Sequence, residues 1–399
     1  MKSELARRIV FTLGALLIYR LGTHIPLPGI GSSGDRFVGV SGARFSIFAL
    51  SILPYLSAAI LIQLVSMVSS RLGALPGSGE AGRRKIARYT LGLAMLLTAF
   101  QAFGVAGALQ GIPNFVSDPG AFFLLSTTLT LTGGTIFLVW LSEQITERGI
   151  GNGLALMLFA GVVTKTPQEV ASVLELTRQG ALSVERAWLL AVFWVALVGL
   201  VVFVELSRRR LPVEFAARTL GQRLLPAQSS YLSIKLNSSG VIPSVVGPWF
   251  YLLPLSIAGF AFGWTSPWLV ATYTQMAPGH IGHMILASVA IVILAFIYTA
   301  YVVDPEHVAA SLKKYGGVIP QIEPGEPTAE HVDRVVSYTT CVGAVYLAAV
   351  FLIPEVLLSY LQLPFYLDGS SVLVVVCTIL DIEKQVRGQS LTEPGGAYR

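Results

Sequence analysis

The chain has 399 residues, of which 54% are hydrophobic and only 12% are charged. Soluble globular proteins carry about 25% charged residues, which they need to cover a water-facing surface. The composition therefore excludes a water-soluble enzyme and predicts an integral membrane protein. The two cysteines, Cys341 and Cys377, lie inside apolar runs and indicate no disulfide framework.

Ten apolar stretches are long enough to cross the ~30 Å hydrocarbon core of a bilayer as helices. The fifth is the least clear, because residues 164–167 interrupt it. In chain order, the predicted spans are 9–25, 45–69, 89–109, 121–143, a stretch beginning at 152, 187–206, 238–261, 284–303, 338–359 and 369–382.

Five spans lie on each side of the segment 165–186. An odd number of helices in each half would reverse the orientation of the second half, so this count allows a duplicated, inverted architecture. We therefore predict an N-terminal half at 1–164, an external hinge loop at 165–186 and a C-terminal half at 187–399.

The distribution of basic residues predicts the orientation. With the N-terminus in the cytoplasm, 21 of the 27 Lys and Arg residues fall on the cytoplasmic side and five fall outside. Short cytoplasmic loops are rich in Lys and Arg, so this asymmetry predicts a multi-pass protein of the plasma membrane with both termini in the cytoplasm.

Motifs of catalytic and metal chemistry are absent from the sequence. It contains no GxxxxGK[ST] phosphate loop and no HExxH zinc motif. His280 and His283 have a helix-compatible spacing, but no Cys, Asp or Glu lies near them in the sequence, which favours surface histidines. The glycine-rich stretch 149–153 is predicted to end one span and begin the next. We expect no metal, no cofactor and no enzymatic activity, so that energy for transport must come from a partner or an ion gradient.

Two predicted cytoplasmic loops, 207–235 and 304–336, are unusually long. Each runs about thirty residues, against about 4–6 for most connections. The first carries five Arg and one Lys with a single Glu, which favours docking of an anionic partner such as ribosomal RNA or lipid headgroups. The cytoplasmic bias of basic residues explains part of that charge.

Several long motifs occur along the chain. The most distinctive is Glu-Gln-Ile-Thr-Glu-Arg-Gly-Ile-Gly-Asn-Gly at 143–153, and the others lie at 20–30, 46–50, 53–60, 82–86, 134–137, 235–243, 312–314, 324–328 and 364–366. In sequence and in order, these motifs resemble the SecY family, the central subunits of the bacterial Sec protein-conducting channel. The resemblance covers nearly the whole chain.

The resemblance implies ten helices in two inverted five-helix halves, opening around a pore for unfolded secretory polypeptides. Membrane segments would leave sideways through a lateral gate, to which it assigns Gln63 and Asn237. It also implies a plug at Phe37, Val38 and Phe45. The apolar constriction would be formed by Ile52, Leu56, Leu154, Leu158, Val245 and Val374. Branched aliphatic side chains offer no hydrogen bonds to ions or water and can close a pore by dewetting.

The same resemblance implies partners. The two long loops would bind the ribosome or the SecA ATPase through Arg208, Arg209, Arg210, Lys313, Lys314 and Glu323. A SecE-like and a SecG-like subunit would join the complex. Signal peptides, nascent membrane proteins and membrane lipids complete the expected set.

The chain departs from the family in two places. Family members usually carry an Arg directly before the Pro-Gly-Glu of the second long loop, where this chain has Glu323. A reversed charge changes the sign of an interaction with an acidic partner. The segment 31–46 is also short and rich in Gly and Ser, which disfavours a long helix and predicts a reduced plug.

Two alternatives to a general translocation channel remain. The departures from the family fit an accessory SecY paralogue with a dedicated substrate or motor. The ten spans also fit a secondary solute transporter, although the ionisable residues Glu143, Glu205, Glu355 and Asp381 lie at predicted span ends rather than at a midplane site.

Overall fold

The computed structural model describes residues 2–30, 45–73, 75, 79–112, 115–215, 218–220, 223–225, 228–250, 267–361 and 369–391. The chain forms two compact units. Unit 1 comprises Met1–Ala191, Leu363–Leu367 and Leu373–Arg399, and unit 2 comprises Val192–Gln362 and Asp368–Val372.

The described residues are mainly helical, with five short strands. In chain order the elements are α1 Lys2–Gly22, α2 Leu53–Val68, α3 Ser70–Gly73, α4 Glu80–Gln110, α5 Ala121–Arg148, α6 Gly153–Arg178, α7 Val184–Leu206, β1 Arg208–Phe215, β2 Arg218–Leu220, β3 Arg223–Leu225, β4 Gln228–Lys235, α8 Ile242–Phe250, α9 Pro267–Gln275, α10 Ile281–Val302, α11 Pro305–Tyr315, β5 Gly317–Val318, α12 Glu326–Leu361 and α13 Gly369–Leu391.

Every predicted span overlaps one of these helices, and the seventh is described as far as Phe250. Among the described residues, five helical runs are long and apolar enough to cross a membrane: α4, α5, α7, the run Ile281–Tyr315 and α12. Large apolar side chains also face outward, including those of Trp188, Leu189 and Phe203 on α7. Apolar surface on this scale is unusual for a soluble protein and suits contact with lipid or a membrane partner.

The core of unit 1 is built where α4 and α5 pack against each other. The residues after α1 and those between α4 and α5 also contribute to it. Small residues allow close approach of the helices, since Ala102 and Ala106 on α4 are fully buried. The cluster is completed by Leu27, Leu109, Phe115, Val116, Phe123 and Leu131. Some hydroxyl groups on these helices donate to the carbonyl one turn earlier, as Thr98 Oγ1 does to Ala94 O (2.6 Å) and Thr128 Oγ1 does to Leu124 O (2.6 Å), so these are satisfied within their own helix.

Unit 2 contains a polar subdomain built on a β-hairpin. β1 and β4 pair antiparallel over eight residues, from Arg208 opposite Lys235 to Phe215 opposite Gln228, and β5 adds to the far end of β1. Alternate residues of β1 point inward. Leu211 and Val213 therefore join a buried cluster with Ile234, Ile319, Val332 and Val336.

The structure corrects three predicted loops. The segment 165–186 is helical as far as Arg178, with Pro167 inside α6. The loss of apolarity at 164–167 marks the end of the apolar stretch and not of the helix, because Gln, Glu, Ala and Leu in the following turns are good helix formers. The loop 207–235 contains the β1–β4 hairpin, and the loop 304–336 contains α11, β5 and the start of α12.

Candidate functional site

Two of the predicted constriction residues lie at the start of α2. Ile52 is the residue preceding the helix and is fully buried, and Leu56 follows one turn later and is buried as well. Residues four apart share a helix face, so the two side chains form one apolar strip. The turn before them is held by close contacts, because a Cβ on Gly134 would overlap Ile47 O and one on Gly22 would overlap the Phe48 ring.

Leu154 and Leu158 lie one turn apart at the start of α6, so they too share a helix face. Both are partly exposed. Val374 lies near the start of α13 and is 4% exposed. Thr378 Oγ1 on α13 donates to Ala155 O on α6 (3.4 Å), so the two helices that carry these residues are in contact within unit 1.

The distinctive stretch 149–153 forms the turn between α5 and α6, as predicted. Three of its backbone amides, and the first two amides after it, donate to side-chain acceptors in unit 1. Thr12 Oγ1 of α1 accepts from Ile150 N, Gln385 Oε1 of α13 from Gly151 N, Thr146 Oγ1 of α5 from Gly153 N, and Asn152 Oδ1 from Leu154 N and Ala155 N. The side chain of Asn152 thereby caps α6. We call residues 149–153 the first turn.

Val245 lies in unit 2, in the first turn of α8, where its amide donates to Val241 O (3.2 Å). α8 is fixed to its neighbours by close contacts. A Cβ on Gly247 would lie 2.7 Å from the Ile291 side chain of α10. Ser370 Oγ, at the start of α13, donates to Ser244 O (3.0 Å).

Asn237, assigned to the lateral gate, is 2% exposed and makes four hydrogen bonds. Its Nδ2 donates to Glu205 Oε1 (2.7 Å) and to Gly240 O (3.2 Å). Its Oδ1 accepts from Ser239 Oγ (2.9 Å) and Gly240 N (3.1 Å). An amide side chain has two donor hydrogens and two acceptor lone pairs, so its capacity is used in full. We call residues 236–240 the second turn. Gln63, the other assigned gate residue, lies on α2 in unit 1.

Phe37 and Val38 of the predicted plug lie outside the described residues. Phe45 is described, and its ring meets Phe115 edge to face at 5.5 Å. The residues on either side of the segment 31–44 are paired with each other: Leu27 N donates to Phe45 O (2.9 Å), and Ile47 N donates to Ile25 O (3.1 Å). This antiparallel pairing closes the segment at its base.

The predicted docking residues are exposed. Arg208, Arg209 and Arg210 begin β1, and Lys313 and Lys314 lie in the last turn of α11. Glu323 is also exposed, in the bend before α12, and its backbone carbonyl accepts from Thr328 Oγ1 (2.7 Å). The hairpin and α11 share the apolar cluster of the polar subdomain, because Leu312 packs against it.

Sequence reasoning missed three groups that hold these elements. The sequence places Glu205 at a span end, and an acidic residue so close to an apolar run is itself a signal for a buried partner. Thr12 and Gln385 gave no signal, because their partners are backbone amides more than a hundred residues away.

The expectation for His283 was wrong. The side chain is 3% exposed, and its Nε2 lies 3.4 Å from Glu355 Oε1, which is 2% exposed. Glu355 Oε1 also accepts from Gly279 N (3.0 Å), and His283 Nδ1 lies 3.2 Å from Met276 O. The partner comes from α12, more than seventy residues away in the chain, and therefore was invisible to local spacing.

Comparison with known proteins places the chain. The sequence profile of the SecY family matches residues 46–383. The protein translocase subunit SecY of Escherichia coli strain K12 is 40% identical over 406 residues, which cover 96% of this chain and 91% of the relative. The SecY subunit of Vibrio cholerae is 40% identical over 410 residues, with the same coverage.

Solved structures agree on the fold. A SecY structure determined to study its plug domain superposes with a TM-score of 0.70 at 17% identity, covering 99% of this chain and 94% of that chain. Another, described as a protein-conducting channel, gives 0.66 at 17% identity with the same coverage. The predicted fold class is confirmed, and with relatives this similar over almost its whole length, the chain belongs to the SecY family.

Proposed function

We propose that this protein is the pore-forming subunit of a protein translocase, conducting unfolded polypeptides across the membrane and releasing membrane segments sideways. The proposal rests on one observation above the others: 40% identity to protein translocase subunits over 96% of the chain. Under this proposal the protein is a channel subunit and not an enzyme. None of the relatives and solved structures described above is a solute transporter.

The constriction is assigned to Ile52, Leu56, Leu154, Leu158, Val245 and Val374. All six side chains are branched aliphatics carried by α2, α6, α8 and α13 or by the turn before α2. Such a ring would repel ions when narrow, because an ion could not replace its lost hydration. The side chains could change rotamer around a passing chain without breaking any hydrogen bond.

The proposed partners follow from the exposed cations. A hairpin with three consecutive arginines suits a polyanion such as ribosomal RNA. Solved relatives include Sec61 in a canine ribosome–channel complex, with a TM-score of 0.65. SecA, SecE-like and SecG-like subunits are further proposed partners, together with signal peptides and lipids. The cytoplasmic location of both termini, the division at 165–186 and the gate role of Gln63 and Asn237 belong to the same proposal.

A photo-crosslinking experiment tests the pore. A crosslinker is placed at Val245 or at Val374, and a stalled secretory chain is presented to membranes containing the partner subunits. Adducts are expected at both positions and not at Leu189, an exposed residue on α7. The pore assignment fails if neither position yields an adduct.

The reversed charge at Glu323 allows a separate test of the motor. Glu323 is exposed, so Glu323→Arg should fold normally. If SecA presents an acidic surface here, the variant should bind SecA more tightly and translocate faster, and the gain should shrink as salt is raised. Equal affinity in the two proteins would remove Glu323 from the motor interface.

The short plug predicts a leaky resting channel. In planar bilayers, the idle complex should conduct ions more than a SecY complex with a longer plug segment. Equal and low conductance would contradict a reduced plug.

A further inference from the structure

A buried carboxyl group lies at the point where the proposed docking hairpin meets the membrane helices. Glu205 is the second-last residue of α7, and Ser207 and Leu236 close the base of the hairpin through a Leu236 N to Ser207 O bond (3.2 Å). Glu205 Oε1 accepts from Asn237 Nδ2 at 2.7 Å. One side-chain pair therefore joins the end of α7 to the residue that follows the hairpin.

The second turn connects this pair to α8. Asn237 Oδ1 accepts from Ser239 Oγ and from Gly240 N, and its Nδ2 also donates to Gly240 O. Val241 O then accepts from the amides of Ser244 and Val245, which begin α8. Hydrogen bonds, joined by the peptide bond between Gly240 and Val241, therefore link Glu205 to the helix that carries Val245.

Packing leaves the second turn little room. A Cβ on Gly343 of α12 would lie 2.8 Å from Leu236 O and 3.3 Å from the Asn237 Cα. The hairpin is itself firmly built, since it pairs over eight residues and packs on the apolar cluster shared with α11 and α12. Without the Glu205–Asn237 pair, the second turn would be the flexible point between the hairpin and α8. The pair bridges this turn.

We infer that Glu205 is a positioning residue that makes the hairpin, the end of α7 and the start of α8 move as one body. A partner docked on the arginines of β1 would then move Val245 directly. The inference rests on the proposed function for its biological meaning, whereas the rigidity that it asserts is a property of the free protein.

The test measures that rigidity with a pair of spin labels. The labels are placed at Ser230 on β4 and Trp249 on α8, both exposed, in the full chain in lipid nanodiscs with Cys341 and Cys377 replaced by Ala. Pulsed electron–electron double resonance gives the distribution of distances between the labels. No translocating chain is needed, so this result is separate from the success or failure of the pore crosslinking.

Asn237→Asp sets a second carboxyl group against Glu205. Two adjacent carboxyl groups cannot both ionise without strong repulsion, so the distribution should broaden about twofold. Adding Glu205→Gln restores one amide and one carboxyl group with their positions exchanged, and the distribution should narrow again. Ser238→Asp is the matched control: it adds the same charge one residue away, on a side chain that donates only to Lys235 O, and should leave the distribution narrow.

Ser239→Ala covers the case in which N237D fails to fold. It removes one of the four bonds of Asn237 without adding charge and should broaden the distribution by less than N237D. The inference is overturned if the wild-type distribution is already broad, if N237D or S239A stays as narrow as the wild type, if S238D broadens as much as N237D, or if the exchanged pair stays broad.

Discussion

The first turn, 149–153, and the second turn, 236–240, each lead into a helix that carries predicted constriction residues, and they are held in opposite ways. In the first turn, separate side chains from α1, α5 and α13 each accept from a different backbone amide. In the second turn, a single amide side chain makes four bonds to three residues. The first arrangement distributes the restraint, whereas the second concentrates it in Asn237.

The difference has a physical consequence. A neutral hydrogen bond contributes about 1 kcal/mol net, so the first turn should tolerate the loss of any one of its acceptors. Loss of Asn237 leaves several buried polar groups without their partner at once, and each costs the desolvation of that group. The following substitutions test this contrast, beginning with the largest expected effect.

Replacing Gly153 of the first turn and Gly240 of the second by alanine distinguishes the cost of a steric overlap from the cost of an unfavourable backbone angle. A Cβ on Gly153 would overlap the backbone of Ser142, so Gly153→Ala should lower the free energy of unfolding by about 3 kcal/mol. Gly240 has φ +69° but open space around it, so Gly240→Ala should cost only about 1–2 kcal/mol. Thermal unfolding in detergent measures both.

Gly133→Ala is the control for these substitutions. Gly133 lies inside α5 with open space around it, so alanine should stabilise the protein by about 0.5–1 kcal/mol. If Gly153→Ala were as mild as Gly240→Ala, the close approach of α5 and α6 would not be what holds the first turn.

Removal of Asn237 should cost more than removal of any acceptor in the first turn. Asn237→Ala should lower the free energy of unfolding by about 2–3 kcal/mol, against about 1–2 kcal/mol for Thr12→Val, which leaves the buried amide of Ile150 without its acceptor. Chemical denaturation compares the two. Thr12→Ser keeps the hydroxyl and should retain most of the stability, and equal losses in N237A and T12V would abolish the contrast between the turns.

Double substitutions should show coupling in the second turn only. The effects of Thr12→Val and Gln385→Leu should add to within about 0.5 kcal/mol, because their oxygens serve different amides. The double variant Asn237→Ala/Glu205→Ala should lose less stability than the sum of the two single losses, by about 1 kcal/mol or more, because both substitutions remove the same bond. A double-mutant cycle for each pair measures the difference, and coupling of similar size in both would show that the first turn is not distributed.

The smallest effect on stability is expected on the hairpin surface. Arg209 is exposed, so Arg209→Glu should change the free energy of unfolding by less than about 0.5 kcal/mol. The same variant should bind ribosomes more weakly, with a shallower dependence on salt. Co-sedimentation at several salt concentrations tests this, and Tyr231→Ser on the paired strand β4 provides an uncharged surface control. Unchanged binding would remove Arg209 from the docking surface.

The sequence predicted the membrane class, a helix at each of the ten apolar stretches and the turn at 149–153, because these depend on local composition and on glycine spacing. It did not predict that α6 continues to Arg178, since the criterion followed apolarity and helix formation does not require it. The alternation of buried Leu211 and Val213 with exposed residues is short and directly follows three arginines. The sequence therefore predicted a long polar connection and not the hairpin.

The candidate site was predictable only in part. The aliphatic residues of the proposed constriction could be proposed only through family resemblance, because from the sequence alone any one of them could equally face lipid. The partner of Asn237 could not, because Glu205 comes from a helix that ends before the hairpin, and the intervening residues give no measure of how closely the chain returns. The burial of His283 against Glu355 escaped for the same reason.

The pairing of Ile25 and Leu27 with Phe45 and Ile47 has a consequence for how such channels vary. Because the pairing fixes the distance between the two ends, the segment between them can change in length without changing the positions of α1 and α2. Doubling the length of a closed loop adds only about 0.6 kcal/mol of entropy, so evolution can shorten or extend this segment without readjusting the helices. The pairing makes the stretch a natural place for insertions, and an engineer could graft a longer or tagged sequence there.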